Sequence, residues 1–433
     1  MKQSAERILT THVGSLPRPP DLLEMIQAKE RGEPIDSGAF ADRVKSTVAE
    51  VVRRQADAGI DIVADGEMGR FGFIPYVNER LAGLEARPNP VTQGTWARSR
   101  EHLAFPEYYA WAAQMPGAAG GAQRNQWVCT GPIAYKGQEA LARDIDNLKA
   151  ALGQVRCEEA FMPAVSPAQL AGWNKNEYYR TDEEFRIALA DALREEYRAV
   201  VDAGLVLQID DPQLASHYTT HPELDIAQCR NWASATVELL NQALAGIPAE
   251  RVRYHTCYGI NMGPRVHDLE LKHIVDIMLR INAGAYSFEA GNPRHEHEWR
   301  VWEEVRLPEG KALSPASSLT ARISSSTRRR SRSASVASRK LLGARTSSPA
   351  PIAALRASRR PARCIPPSCG PSSPHWPKAR ASRPRNYGAE RKTAPKNLQY
   401  AIGQVPQALP RRGISAAGAS FGAARNRSAC DRK

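Results

Sequence analysis

Acidic residues all but disappear after Leu313. Of the 46 Asp and Glu in the chain, two lie beyond that point, against 25 of the 59 Lys and Arg. The formal net charge of +13 therefore describes neither part. Residues 1–313 carry about −10 and the remainder about +23 by the same count. A uniformly basic chain would point to a nucleic-acid or membrane partner. An acidic body followed by a basic tail reads instead as two different objects in one chain.

Other absences narrow the class. The stretch 1–10 has no apolar segment of the kind a secretory signal needs, and no run is long and apolar enough to span a bilayer, so no membrane partner is expected. The cysteines of the body, Cys129, Cys157, Cys229 and Cys257, lack the spacing of a disulfide framework. They fit a reducing cytoplasm, where cysteine serves as ligand, nucleophile or small core residue.

What is present is a repeating βα pattern. Apolar runs at 10–16, 60–64, 127–133, 205–209, 252–254 and 285–288 read as strands. Helical periodicity appears at 42–58, where Val44, Val48, Val51 and Val52 share a face, and at 185–203 and 269–283. The run 160–165 is a further apolar segment, and 136–185 reads as an elaboration between the third and fourth barrel strands. The chemically capable residues stand where strands end. That placement is the habit of (β/α)8 barrels and open α/β sheets, and the class expected for 1–312 is a (β/α)8 TIM-type barrel.

Each motif carries a bland and a functional reading. His255-Thr256-Cys257 follows a strand, and alternate residues of an extended segment point the same way, so imidazole and thiolate can meet one ion. A lone His-x-Cys is more often chance. Glu289 strengthens the metal reading because it ends the next strand, at the adjacent rim position. Asp210, in Gln208-Ile209-Asp210-Asp211-Pro212, is either a turn residue before Pro212 or a carboxylate for a substrate ammonium, and Glu67 in Asp65-Gly66-Glu67 carries the same pair of readings. Gly14-Ser15, after Val13, offers backbone N–H groups to an anion.

In order along the chain, Thr11-His12-Val13-Gly14-Ser15-Leu16-Pro17, Asp65-Gly66-Glu67, Thr130-Gly131-Pro132, Gln208-Ile209-Asp210-Asp211-Pro212, His255-Thr256-Cys257-Tyr258 and Phe288-Glu289 resemble the catalytic barrel of cobalamin-independent methionine synthases. The resemblance spans residues 10 to about 312 and marks the chain as similar to a single-barrel relative. It implies zinc (Zn2+) on His255, Cys257, Glu289 and a further Cys near the last strand. It implies homocysteine binding by Val13, Gly14, Ser15, Glu67 and Asp210, and a methyl donor, methyltetrahydrofolate. Zinc would keep the thiol as thiolate for attack on the methyl carbon, and a proton donor must assist the amine leaving group. In the family that donor is a His on the seventh strand, for which this chain offers no counterpart, so the catalytic proton donor is unknown. Ser216 stands where the family's second substrate-contacting Glu is expected. The superfamily also holds epoxyalkane:coenzyme M transferases, which share the zinc-thiolate logic and give an alternative reaction.

After Leu313 the periodicity stops, and Ser, Arg, Ala and Pro dominate, as at 324–332 and 357–363. A disordered low-complexity tail or a nucleic-acid arm would account for this. A shift of reading frame accounts for more. Suitable synonymous codons for residues 340–355, read in the neighbouring frame, permit a segment ending in Asp-Cys-Gly, the family's last zinc ligand. The same shift over 313–328 permits a strand followed by His, and over 364–372 a third family-like segment. Residues 313–433 are therefore expected to be out of frame and disordered, with the last two barrel strands lost and methyl transfer impaired. Nucleic-acid binding through the Arg-rich tail is the alternative from a different class.

Overall fold

The computed structural model describes residues 1–4, 7–88, 98–112, 125–259 and 263–316. All but the first four positions of the expected tail, 313–433, lie outside the described residues.

Helices form where capping and periodicity coincide. Ser37–Asp57 starts on Asp36, whose carboxylate accepts from the N–H groups of Gly38 and Ala39, and it buries Val44, Val48 and Val52. Asp182–Asp202 is capped by the Thr181 hydroxyl, carries Asp182, Glu183 and Glu184 against the positive end of its dipole, and buries Phe185, Leu189, Leu193 and Tyr197. None of the helices among the described residues is long and apolar enough to cross a membrane.

The strands among the described residues are β1 (Ile62–Val63), β2 (Leu81–Pro88), β3 (Asn125–Tyr135), β4 (Glu159–Val165), β5 (Lys175–Asn176), β6 (Val206–Asp210), β7 (Val252–His255), β8 (Ala285–Glu289) and β9 (Ala312–Ala316). Six of them make one parallel sheet in the order β1-β4-β6-β7-β8-β9. Thr11 adds a parallel bridge to Ile62 at the outer side of β1, so the chain's first barrel position is a single bridge.

Alternation along the strands separates two cores. Met162, Ala164, Leu207, Ile209, Tyr254, Tyr286 and Phe288 face the helices within the main core. Ile62, Ala64, Phe161 and Val206 form a smaller cluster on the other face. That face is concave. Arg253 on β7 donates to the Thr11 hydroxyl across 3.0 Å and to the His12 carbonyl across 3.2 Å, although β1, β4 and β6 lie between β7 and the Thr11 bridge in the sheet order. A flat sheet could not bring them together, so the sheet curls as a (β/α)8 barrel does. The fold is an incomplete TIM-type barrel.

Four expectations are corrected. The run at 127–133 lies within β3, which pairs antiparallel with β2 and parallel with β5 in a separate three-stranded sheet. The third barrel position belongs to β4, so the stretch 136–185 is not an insertion but carries a central strand. The helix expected over 269–283 is broken into a 3-10 turn at Leu271–His273 and a short helix at Val275–Met278. The sheet also runs one strand past residue 312: Ala312–Ala316 pairs with Ala285–Glu289 in parallel register, so one of the two strands expected to be missing has an occupant.

Candidate active site

The residues that face inward near the strand ends build the site. Gly66 and Glu67 follow β1 with φ of 64° and 58°. Among the described residues Glu67 is the one non-glycine at positive φ, a costly conformation that its surroundings must hold. Three contacts do so. The Ser15 hydroxyl donates to Glu67 Oε2 across 2.5 Å, Arg18 Nη2 donates to the Glu67 carbonyl across 2.7 Å, and the Glu67 N–H donates to Asp65 Oδ1 across 3.0 Å. The turn thus aims a buried carboxylate back at the Val13-Gly14-Ser15 segment. The approach is close enough to require glycine, since a Cβ on Gly14 would lie 2.7 Å from Glu67 Oε1.

Asp210 ends β6 on the same inward face. Gln208 Nε2 donates to Asp210 Oδ1 across 2.7 Å and also to the Val13 carbonyl. The Gln208 side-chain carbonyl accepts from Arg253 Nε across 2.7 Å, and the Arg253 guanidinium lies over the Phe161 ring at 3.8 Å. Burial first, then the negative charge of Glu67, pushes the Asp210 carboxyl well above the usual carboxylate range, against Gln208 and Arg253. Burial lowers the Arg253 guanidinium to about 10. The buried Glu67 carboxylate and the partly buried Asp210 carboxylate are close enough to feel each other and are floored by a polar ladder, which makes a seat for a cation. The sequence-picked residues Val13, Gly14, Ser15, Glu67 and Asp210 all belong to this one region.

The metal candidates are arranged less completely. His255 ends β7, its Nδ1 3.2 Å from the Ser287 hydroxyl, and burial, then Arg253, lowers it to about 3, so the ring is neutral. Burial, then the Glu289 charge, raises the Cys257 thiol to about 12, which places Cys257 and Glu289 near one another and leaves the thiol protonated at neutral pH. Glu289 Oε2 accepts from Asn292 Nδ2 across 2.9 Å. Donor types suit zinc, yet no group of three His, Cys, Asp or Glu among the described residues converges so as to hold a metal ion. Ser216 is tied to its own helix, its hydroxyl donating to the Pro212 carbonyl across 2.8 Å.

Sequence reasoning missed the ladder beneath the site. Gln208 lay in a quoted motif without a role, and Arg253 was unmarked. The available signal was a cation between apolar strand residues in Val252-Arg253-Tyr254, a position that must be inward and satisfied if 252–255 is a strand.

Comparison with known proteins relates the chain to methionine synthases. Residues 8–103 match the family described as "Cobalamin-independent synthase, Catalytic domain". The chain is 27% identical over 251 residues to a methionine synthase of Sulfolobus acidocaldarius and 28% identical over 250 residues to one of Thermococcus kodakarensis, in each case covering 58% of this chain and 61% of the relative. It thus spans under two thirds of the length of these curated relatives. A solved B12-independent methionine synthase from Shewanella sp. W3-18-1, in complex with selenomethionine, superposes with a TM-score of 0.51 at 16% identity, covering 77% of this chain and 97% of that one, a likeness that speaks to the fold alone. With the ordered motifs and the half-closed parallel sheet, these relationships show that the chain is similar to the cobalamin-independent methionine synthases, over residues 8–103 by the family match and over about 250 residues by the curated relatives.

Proposed function

We propose that this end of the barrel binds an amino-acid thiol and presents its sulfur for methylation, with homocysteine as acceptor and methyltetrahydrofolate as donor, the reaction of methionine synthesis. The observation that carries the reading is the pair of carboxylates, buried Glu67 and partly buried Asp210, beside Gly14 and Ser15. An ammonium group seated between them relieves their mutual repulsion and accepts nothing in return, which suits –NH3+ as a three-donor cation. Backbone N–H groups of the Gly14-Ser15 turn take the carboxylate.

The same pair weighs against the alternative of a coenzyme M-type thiol. A sulfonate brought to Glu67 and Asp210 meets two like charges and no ammonium partner. For a nucleic-acid arm, the basic residues concerned lie outside the described ones, and no feature of the described body favours it. Zinc on His255, Cys257 and Glu289 remains what the family implies. Because these three do not compose a metal-holding group, no step is assigned to it, and we propose that this chain holds zinc weakly and transfers methyl groups poorly. Reading 313–433 as out of frame supports that impairment. The cysteine usage supports a cytoplasmic setting.

The test compares the full chain with a version whose reading frame is restored after codon 312, each incubated with homocysteine and methyltetrahydrofolate. Methionine formation by the restored protein alone supports the reading. Absence of methionine in both, with homocysteine bound by neither, overturns it.

A further inference from the structure

One imidazole joins the two loops that carry the metal candidates. His295 is 3% exposed. Its Nε2 lies 3.1 Å from Asp268 Oδ2 and its Nδ1 3.1 Å from Glu298 Oε2. A neutral imidazole has one N–H and one lone pair, whereas carboxylates only accept. Satisfying both carboxylates requires a proton on each ring nitrogen, so the geometry calls for an imidazolium. Burial works against that charge, but the hydrogen bonds to Asp268 and Glu298 outweigh it and raise His295 above its ordinary value. Asp268 moves the opposite way: burial alone would raise it, while His295, Arg265 and Arg294 hold it below the usual carboxylate range.

The ring is placed to connect. Its face stacks on Tyr258 at 3.7 Å and 3°, and Tyr258 directly follows Cys257. The His295 backbone N–H donates to the Asn292 carbonyl across 2.8 Å, and Asn292 is the residue whose side chain holds Glu289. Glu298, the second carboxylate, accepts the Leu271 N–H across 2.7 Å. Thr256, Tyr258, Leu271, Glu289 and Glu298 line one small cavity. The charged and titratable groups about His295 are thus Asp268, Glu298 and Tyr258 in contact, with Arg265 and Arg294 bound to Asp268 and Glu289 across the cavity.

We propose that His295 is a positioning residue: it clamps the segment after β7 to the segment after β8 and so sets how Cys257 and Glu289 face each other. Its bearing on catalysis rests on the thiol-methylation reading, while the clamp itself stands or falls without it. The residue touches no reacting atom.

The test uses the full chain and needs neither homocysteine, methyl donor nor zinc, so its failure is distinct from failure of the proposed function. Ring 15N shifts of His295 at pH 7.5 are expected to report two protonated nitrogens. His295→Gln removes the cation and one of the two anchors. Alkylation of Cys257 by iodoacetamide, read by peptide mapping, and amide exchange over 256–259 and 263–271 are then expected to rise about tenfold. His295→Arg, which restores a cation with donors for both carboxylates, is expected to return both toward the parent values. A neutral His295 at pH 7.5 in the unmodified protein, or unchanged Cys257 reactivity and exchange in a folded His295→Gln, overturns the proposal. If His295→Gln does not fold, the unmodified protein decides: exchange over 263–271, corrected for the intrinsic rate, must rise as pH passes the point where His295 loses its proton.

Discussion

The Ser15 hydroxyl and the Glu67 carboxylate meet at 2.5 Å across 52 residues of sequence, and this bond fixes the one strained non-glycine backbone among the described residues. It orients a carboxylate that would otherwise be free to turn away from its ligand. Ser15→Ala is expected to weaken homocysteine binding about tenfold and Glu67→Gln by about 10- to 100-fold, the usual span for losing a hydrogen bond to a charged group. Titration calorimetry on the full chain measures both. Equal affinity in Glu67→Gln and the parent would remove Glu67 from the site.

Asp210 gives a pH signature. Burial and the Glu67 charge raise its folded pKa, so the acid holds its proton to higher pH than in the unfolded chain, and the stability this confers is lost as pH rises through the folded value. A bound ammonium favours the carboxylate and pulls that pKa back down. Homocysteine binding should therefore release a proton and strengthen as pH rises from the acid side. Binding heats in buffers of different ionisation enthalpy test this, with Asp210→Asn expected to abolish the buffer dependence that the parent shows.

Gly66 sets the turn that aims Glu67. At φ 64° an added Cβ would sit 2.9 Å from Met68 Cε and 3.1 Å from Leu16 Cβ. Gly66→Ala combines left-handed backbone strain with crowding and is expected to cost about 1–3 kcal/mol. A fall in urea midpoint measures it; an unchanged midpoint would mean the turn is not held as described.

Arg253 ties β7 to the Thr11-His12 segment and to Gln208. Arg253→Met keeps most of the apolar volume but strips donors from the Gln208 and His12 carbonyls in a buried setting. A loss of about 2–4 kcal/mol is expected, again read from denaturant unfolding, together with weaker homocysteine binding because Gln208 no longer steadies Asp210.

Much of this was legible before any coordinates. The ends of β6, β7 and β8 delivered Asp210, His255 and Glu289 because a short apolar run stopped by a polar residue marks a buried parallel strand and its loop. Glu67 was legible from Asp65-Gly66-Glu67, though not its backbone strain. The separate sheet was not legible: residues 127–133 look like any buried strand, and their partner β2 is far along the chain, so pairing is a long-range fact that local pattern does not hold. The segment 269–283 is apolar on more than one side, which mimics helical periodicity while packing as two short turns. His295 gave no signal at all, since its role depends on carboxylates from two loops that only the fold brings together.

The measurement that bears most directly on the central claim is a competition between two thiols for the full chain. Homocysteine and 2-mercaptoethanesulfonate share a thiol and differ in the group offered to Glu67 and Asp210. Calorimetry is predicted to show binding of homocysteine, weakened in Glu67→Gln and Asp210→Asn, and little or no binding of the sulfonate. Tighter binding of 2-mercaptoethanesulfonate, or homocysteine affinity indifferent to both substitutions, would contradict an amino-acid thiol seated between these two carboxylates.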